Sequence, residues 1–221
     1  ADLALARYGE FAASDEGGDR VPGTDVPGKA VAEMPVPRVM TWDRRETVLG
    51  IIVSGELRYQ GFTVNKLFRT DIIAAHNLRF DPELAYNEDR LFCTAYALCC
   101  TETHLGGGSA YWYRRTPESA MSSLSAMSDE KADRYLSEFV GYDRLMALIE
   151  PEFPEFVPLV AGDAFYRALT LRRQSPANAT RLQTALAACI KRYGEQALSA
   201  PPGTFGRKQR LGMRVHLMLG R

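Results

Sequence analysis

The feature that most constrains this chain is the stretch Phe80-Asp81-Pro82-Glu83-Leu84-Ala85-Tyr86-Asn87-Glu88-Asp89-Arg90-Leu91-Phe92. Pro82 and Asn87 mark irregular backbone, because proline fixes φ and asparagine favours turns. Immediately afterwards, Leu91 to Cys100 is almost entirely apolar. A turn followed by such a run predicts a helix that starts at the Glu88-Asp89 pair and is buried along most of its length. Asn87 is then the expected N-cap, and the two acids fall where the helix dipole favours negative charge.

Two adjacent carboxylates at the mouth of a buried helix have two readings. They can be a structural cap, since acids are common in first turns. They can also be a positioned base facing a cleft, where a carboxylate accepts a proton from a reacting hydroxyl. Geometry separates the two. A cap turns its carboxylates back onto its own backbone amides, whereas a base opens onto a cleft.

The neighbouring motifs bear on that choice. Upstream lies Asn65-Lys66-Leu67-Phe68-Arg69, followed by Leu78-Arg79-Phe80; downstream lies Tyr111-Trp112-Tyr113-Arg114-Arg115, followed by Ser119 and further serines. The order NKLFR, LRF, a Glu-Asp pair opening a helix, then YWYRR resembles glycosyltransferase family 2, the bacterial enzymes of capsule, exopolysaccharide and cell-wall glycan assembly. The resemblance runs over residues 1–125 and is densest over 63–123. It implies a partial GT-A fold, a mixed α/β sheet with flanking helices. Residues 1–125 form its acceptor-side half, and 126–221 a mainly α-helical extension.

The resemblance also implies a chemistry. The family transfers a sugar from a nucleotide-sugar donor to a hydroxyl of a glycan or lipid-linked acceptor, with inversion at the anomeric carbon. Asp89 matches the family's base, and Glu88 would orient it or bind an acceptor hydroxyl. Arg114 or Arg115 would hold the leaving diphosphate or the acceptor; the bland alternative is a solvated strand end. Lys66 matches a family position to which we assign packing rather than chemistry. The family's divalent metal, manganese or magnesium, is held by an aspartate-rich motif that this chain lacks, so no metal ligand is assigned here. On this reading the chain is the C-terminal portion of a longer enzyme, inactive alone and unable to bind nucleotide sugar or manganese tightly. Leu3, Leu5 and Tyr8 are then expected near an open sheet edge or on an under-covered face. The competing reading is a non-catalytic binding module in which Glu88 and Asp89 only cap a helix.

Composition narrows the partners. The formal net charge is zero, so charge does not point to nucleic acid. The distribution is uneven. Residues 196–221 carry five Lys/Arg and no acid. Over 205–221, Arg207, Lys208, Arg210 and Arg214 interleave with Leu211, Met213, Val215, Leu217, Met218 and Leu219, a pattern suited to an anionic membrane surface. The alternative is a core helix with basic flanks, since Gly206, Gly212 and Gly220 weaken a free helix. No apolar run approaches the ~18 residues of a membrane span, and the expected location is cytoplasmic, with peripheral attachment at the inner membrane face. Cys93, Cys99, Cys100 and Cys189 form no Cys-x-x-Cys pair and read as free thiols; the three histidines lack zinc-ligand spacing.

The remaining elements follow from punctuation and period. Ala1–Tyr8 reads as a strand and residues 12–38 as a surface loop. Helices are expected from Trp42 to Ser54, capped by Thr41, and from Lys66 to Ala75, burying Leu67, Ile72 and Ile73. Thr101–His104 and Ala110–Tyr113 read as separate strands around a Gly106-Gly107-Gly108 turn, whose alternative is a phosphate cradle. The serines at 119–125 read as a loop. Beyond Ser128, three helices are expected, with Pro151 and Pro154 ending the first, Ser175-Pro176 the second and Gly194 the third.

Overall fold

The computed structural model describes residues 1–12, 40–52, 61–115 and 128–219. Most of the loop expected over 12–38 and the serine segment 119–125 lie outside them. Among the described residues the fold is mixed α/β. It divides into two compact units, Ala1–Leu78 with Tyr96–Ser123, and Arg79–Ala95 with Leu124–Arg221. Arg79–Ala95, which carries Glu88 and Asp89, therefore groups with the helical residues.

The first unit is built on a four-stranded sheet of order β2-β4-β1-β3, formed by β1 (Leu3–Ala12), β2 (Met40–Asp43), β3 (Lys66–Phe68) and β4 (Glu102–Arg115). The central pair β1–β4 is parallel, and both outer pairings are antiparallel. The outer strands are four and three residues long, which limits the unpaired edge each exposes. Strand β1 is thus interior. Leu3 and Leu5 are only 1% and 2% exposed, which corrects the open edge expected there. They pack with Tyr96, Cys100 and Leu105, and Trp42, Phe68, Ile72, Ile73 and Leu78 close over this core. The side chain of Tyr8 is outside the described residues.

Strand β4 corrects the reading of the glycine run. Residues 101–113 do not form two strands around a turn; one continuous strand passes through Gly106-Gly107-Gly108. Leu5 pairs with Leu105, but Arg7 pairs with Ser109 and Tyr8 with Tyr111, so β4 spends more residues than β1 over the same stretch. The glycines accommodate that irregularity, as they do in bulged strands.

Helix α1 (Arg44–Ile52) starts later than Thr41, because Thr41 lies within β2. Asp43 is the cap: its Oδ1 accepts from the Glu46 amide at 2.7 Å, while the Asp43 amide donates to Glu46 Oε2 at 3.0 Å. This reciprocal pair satisfies two amides at the helix start. Lys66 to Phe68 is strand rather than helix, and α2 (Thr70–Ala75) is correspondingly short. Leu67, expected to be buried, is 77% exposed, because strand alternation turns it away from the core that Phe68 faces. Lys66 is buried, with Nζ donating to the Phe62 carbonyl and to Asn65 Oδ1.

Helix α3 (Glu88–Leu98) contributes its first turns to the second unit and its last turn to the first. The rest of the second unit comprises α4 (Ala132–Ile149), α5 (Val157–Gln174), α6 (Thr180–Leu198) and α7 (Arg207–Leu219). Pro158 sits in the first turn of α5, where its missing N–H costs nothing. Gly194 does not stop α6, which continues to Leu198. A Cβ there would lie 3.1 Å from both Phe165 and Leu217, so this glycine permits close helix packing. Several helix ends are satisfied from a distance. Asp129 accepts from the Arg181 and Leu182 amides, Gln183 donates to the Arg172 and Ser175 carbonyls, and Arg210 donates to the Leu198 and Ala200 carbonyls.

Asp2 ties the start of β1 to the start of β4. Its carboxylate accepts from the Thr101 amide at 2.9 Å and hydroxyl at 2.8 Å, and pairs with Arg69 at 3.1 Å. The Thr101 hydrogen bonds, above all, hold its pKa below the ordinary 3.8, with Arg69 adding to them. Replacing Asp2 with Asn is expected to cost about 1–2 kcal/mol in urea unfolding, at the low side for charged hydrogen bonds because solvent reaches the group. A carboxylate with a depressed folded pKa stabilises above its unfolded pKa, and that stability is lost as pH falls through the folded value. The wild-type advantage over Asp2→Asn should therefore be full at pH 6 and shrink below about pH 4. A difference independent of pH would contradict this assignment.

Candidate functional site

The segment Arg79–Ala95 is positioned by its turns. Asp81 and Pro82 open the first: the Glu83 amide donates to Asp81 Oδ1 at 3.0 Å and the Leu84 amide to the Asp81 carbonyl at 3.3 Å. Aspartate at the first turn position and proline at the second suit this geometry. Leu84 is buried and anchors the loop.

Asn87 ends the loop in the left-handed region, at φ 68°, which asparagine tolerates better than most residues. Its carbonyl accepts the helical bond from the Leu91 amide at 3.0 Å. Its side-chain amide nitrogen donates to the Glu138 carbonyl at 3.3 Å. Asn87 therefore starts α3 as expected, but with a left-handed backbone and with its amide directed at α4. The approach is close: a Cβ on Gly141 would stand 2.9 Å from the Asn87 Cβ and 3.4 Å from the Tyr86 carbonyl oxygen.

Glu88 and Asp89 open α3 and are both half-buried. Burial raises the Glu88 pKa above its ordinary value, and the neighbouring Asp89 charge adds to the rise; a hydrogen bond from its own backbone amide opposes it. The next residue, Arg90, is largely buried and pairs with Asp163 at 2.7 Å. The Tyr142 hydroxyl donates to the same carboxylate oxygen at 3.1 Å, and the Arg90 guanidinium stands 5.6 Å from the Tyr142 ring centre. Arg90 and Asp163 hold the first turn of α3 against α4 and α5. Neither Asp163 nor Tyr142 carries a local sequence signal, since their partners lie 73 and 21 residues away respectively.

Beside this turn is an open cleft of about 720 Å³ lined by Arg79, Asp81, Pro82, Glu83, Leu91, Ala95, Arg144, Ala147 and Leu148. Glu88 and Asp89 are not among its lining residues. Arg144 bridges Asp81 and Glu83. The hydrogen bond from Arg144 is the main reason the Asp81 carboxyl stays below its usual pKa, with the Glu83 amide assisting. A carboxylate so held is a poor proton acceptor at neutral pH. Phe80, 49% exposed, stacks on Phe92 with ring centres 4.4 Å apart. Aspartate and glutamate flanking Pro82 are visible in the sequence; Arg144, which organises them, is not.

Arg114 and Arg115 are the last two residues of β4. Their side chains lie outside the described residues, and the two arginines and Asp89 belong to different units. All four cysteines are free; burial pushes the Cys100 thiol up to about 12 and the Cys189 thiol up to about 11, which makes both poor nucleophiles. Among the described residues, no group of three or more His, Cys, Asp or Glu side chains is arranged to hold a metal ion. Compared with protein-family models and with curated proteins, the chain has no match.

Two outcomes test this geometry. Replacing Arg144 with Met should return the Asp81 pKa upward toward 3.8, followed by carboxyl NMR titration; an unchanged value would show that Arg144 does not control it. Replacing Gly141 with Ala should destabilise the protein in urea. Propensity alone favours alanine by about 1 kcal/mol, but overpacking costs about 1–3 kcal/mol, and the Asn87 Cβ cannot swing aside without its backbone.

Proposed function

We propose that the chain supplies the acceptor side of an inverting glycosyltransferase of the GT-A type. The observation that carries this reading is the Glu88-Asp89 pair opening α3, set within the motif order NKLFR, LRF and YWYRR. The mixed sheet with a parallel central pair supports the α/β class of this reading and no more. In the reaction, the acceptor hydroxyl oxygen bonds to the anomeric carbon of a nucleotide sugar, and the bond from that carbon to the diphosphate breaks. Asp89 accepts the hydroxyl proton, and the diphosphate leaves as an anion. Glu88 orients the acceptor or Asp89. Arg114 or Arg115 compensates the charge of the diphosphate through charge-assisted hydrogen bonds. The manganese or magnesium ion of the resembling family would neutralise the same diphosphate.

A second reading has its own support. Glu88 and Asp89 lie in the first turn of α3, where the helix dipole favours negative charge, and the open cleft next to α3 is lined by Asp81, Glu83 and Arg144 instead. On this reading the chain is a non-catalytic binding module. Replacing Asp89 with Asn, in a protein that contains this chain and transfers sugar, separates the two. A general base contributes on the order of 10²–10⁴-fold, so turnover should fall by that factor while donor binding is retained. Unchanged turnover would leave Asp89 as a cap.

A further inference from the structure

Helix α7 is held to the second unit by one face only. Met213 is fully buried, and Leu217 approaches Gly194. The Tyr166 hydroxyl contacts the Gln209 carbonyl at 3.5 Å, and Arg210 is engaged with the carbonyls ending α6. The opposite face is apolar and open: Leu211 is 63% exposed, Val215 42% and Met218 84%. These three lie at i, i+4 and i+7 and form one stripe. Arg207, Lys208 and Arg214 are also exposed. At about 100° per residue, all six side chains fall within roughly 120° of the helix surface, with the basic groups flanking the apolar ones.

We infer that this face of α7 docks on an anionic lipid surface, lying in the plane of the interface. Charge complementarity selects the occupant. Residues 196–221 carry five Lys/Arg and no acid, so an anionic bilayer satisfies the rim while its acyl boundary receives Leu211, Val215 and Met218. A free peptide of this sequence would pay to form a helix around Gly206 and Gly212. Here Met213, Leu217 and Arg210 already hold the helix, so docking carries little ordering cost. None of the described helices is long and apolar enough to cross a membrane, and surface docking requires none. The inference rests on α7 alone and stands or falls independently of the transfer chemistry.

The test is co-sedimentation of the full chain with vesicles of phosphatidylcholine alone, or with added phosphatidylglycerol. Binding should require the anionic lipid and weaken with salt. Replacing Arg207, Lys208 and Arg214 together with Gln should lower affinity on the order of 100-fold, at about a fivefold loss per basic residue. Leu211→Asn with Met218→Asn should also abolish binding while circular dichroism stays unchanged, since both side chains are exposed. Equal binding to neutral and anionic vesicles, or none to either, would overturn the inference. So would a dimer in sedimentation velocity that Leu211→Asn with Met218→Asn dissolves, because the stripe would then belong to a second copy of the chain.

Discussion

The first unit depends on the hydroxyl of Tyr96. The side chain is fully buried, so its polar end must be paired or the burial is costly. It donates to the Asp2 carbonyl at 2.6 Å and accepts from the Arg69 amide at 2.8 Å. One atom thus joins the last turn of α3 to the start of β1 and to the link between β3 and α2. Around it the Tyr96 ring meets Phe68 edge-on, with centres 4.9 Å apart. Burial pushes the phenol up to about 12, so it remains a donor throughout the physiological range. The Asp2 carboxylate, bonded to Thr101 and Arg69, completes the junction from the other side of the same residue.

The second unit solves a related problem differently. Its helices end where local sequence offers poor caps, and the orphaned amides and carbonyls are met by Asp129, Gln183 and Arg210 from other elements. Buried charge is treated in the same way: Glu138 accepts from Arg167 through both carboxylate oxygens, and Asp163 receives Arg90 and Tyr142. Such pairs contribute modestly to net stability, but losing one partner is costly. They fix helix register around Arg79–Ala95. The half-buried Glu88-Asp89 pair is therefore tied to α4 and α5 through its neighbours Asn87 and Arg90.

Charge placement separates the polar surfaces of this unit by role. In the cleft, Arg144 pairs with Asp81 and Glu83, which leaves Asp81 a poor proton acceptor at neutral pH. At the mouth of α3, burial and a like charge push Glu88 toward the protonated form. On α7 the basic residues flank exposed leucine, valine and methionine.

The sequence by itself determined the start of α3 at Glu88, the strand at Leu3 and the helices beyond Ser128. These are written in local signals, namely apolar period, turn residues and proline stops. It also showed the interleaved basic and apolar residues of α7, though not which of them face outward. Tertiary structure decided the rest. Gly106-Gly107-Gly108 reads locally as a turn, yet pairing with β1 draws it into one strand. Gly194 reads as a helix stop, yet Phe165 and Leu217 pack where its side chain would be, and α6 runs on. Lys66–Phe68 reads as helix, yet pairing with Leu3–Leu5 makes it an edge strand. The Arg144 bridge and the Arg90–Asp163 pair join residues more than sixty positions apart, and no local pattern encodes a partner at that distance. The physical reason is common to all: propensity contributes tenths of a kcal/mol per residue, whereas burying a side chain or pairing a buried charge contributes whole ones.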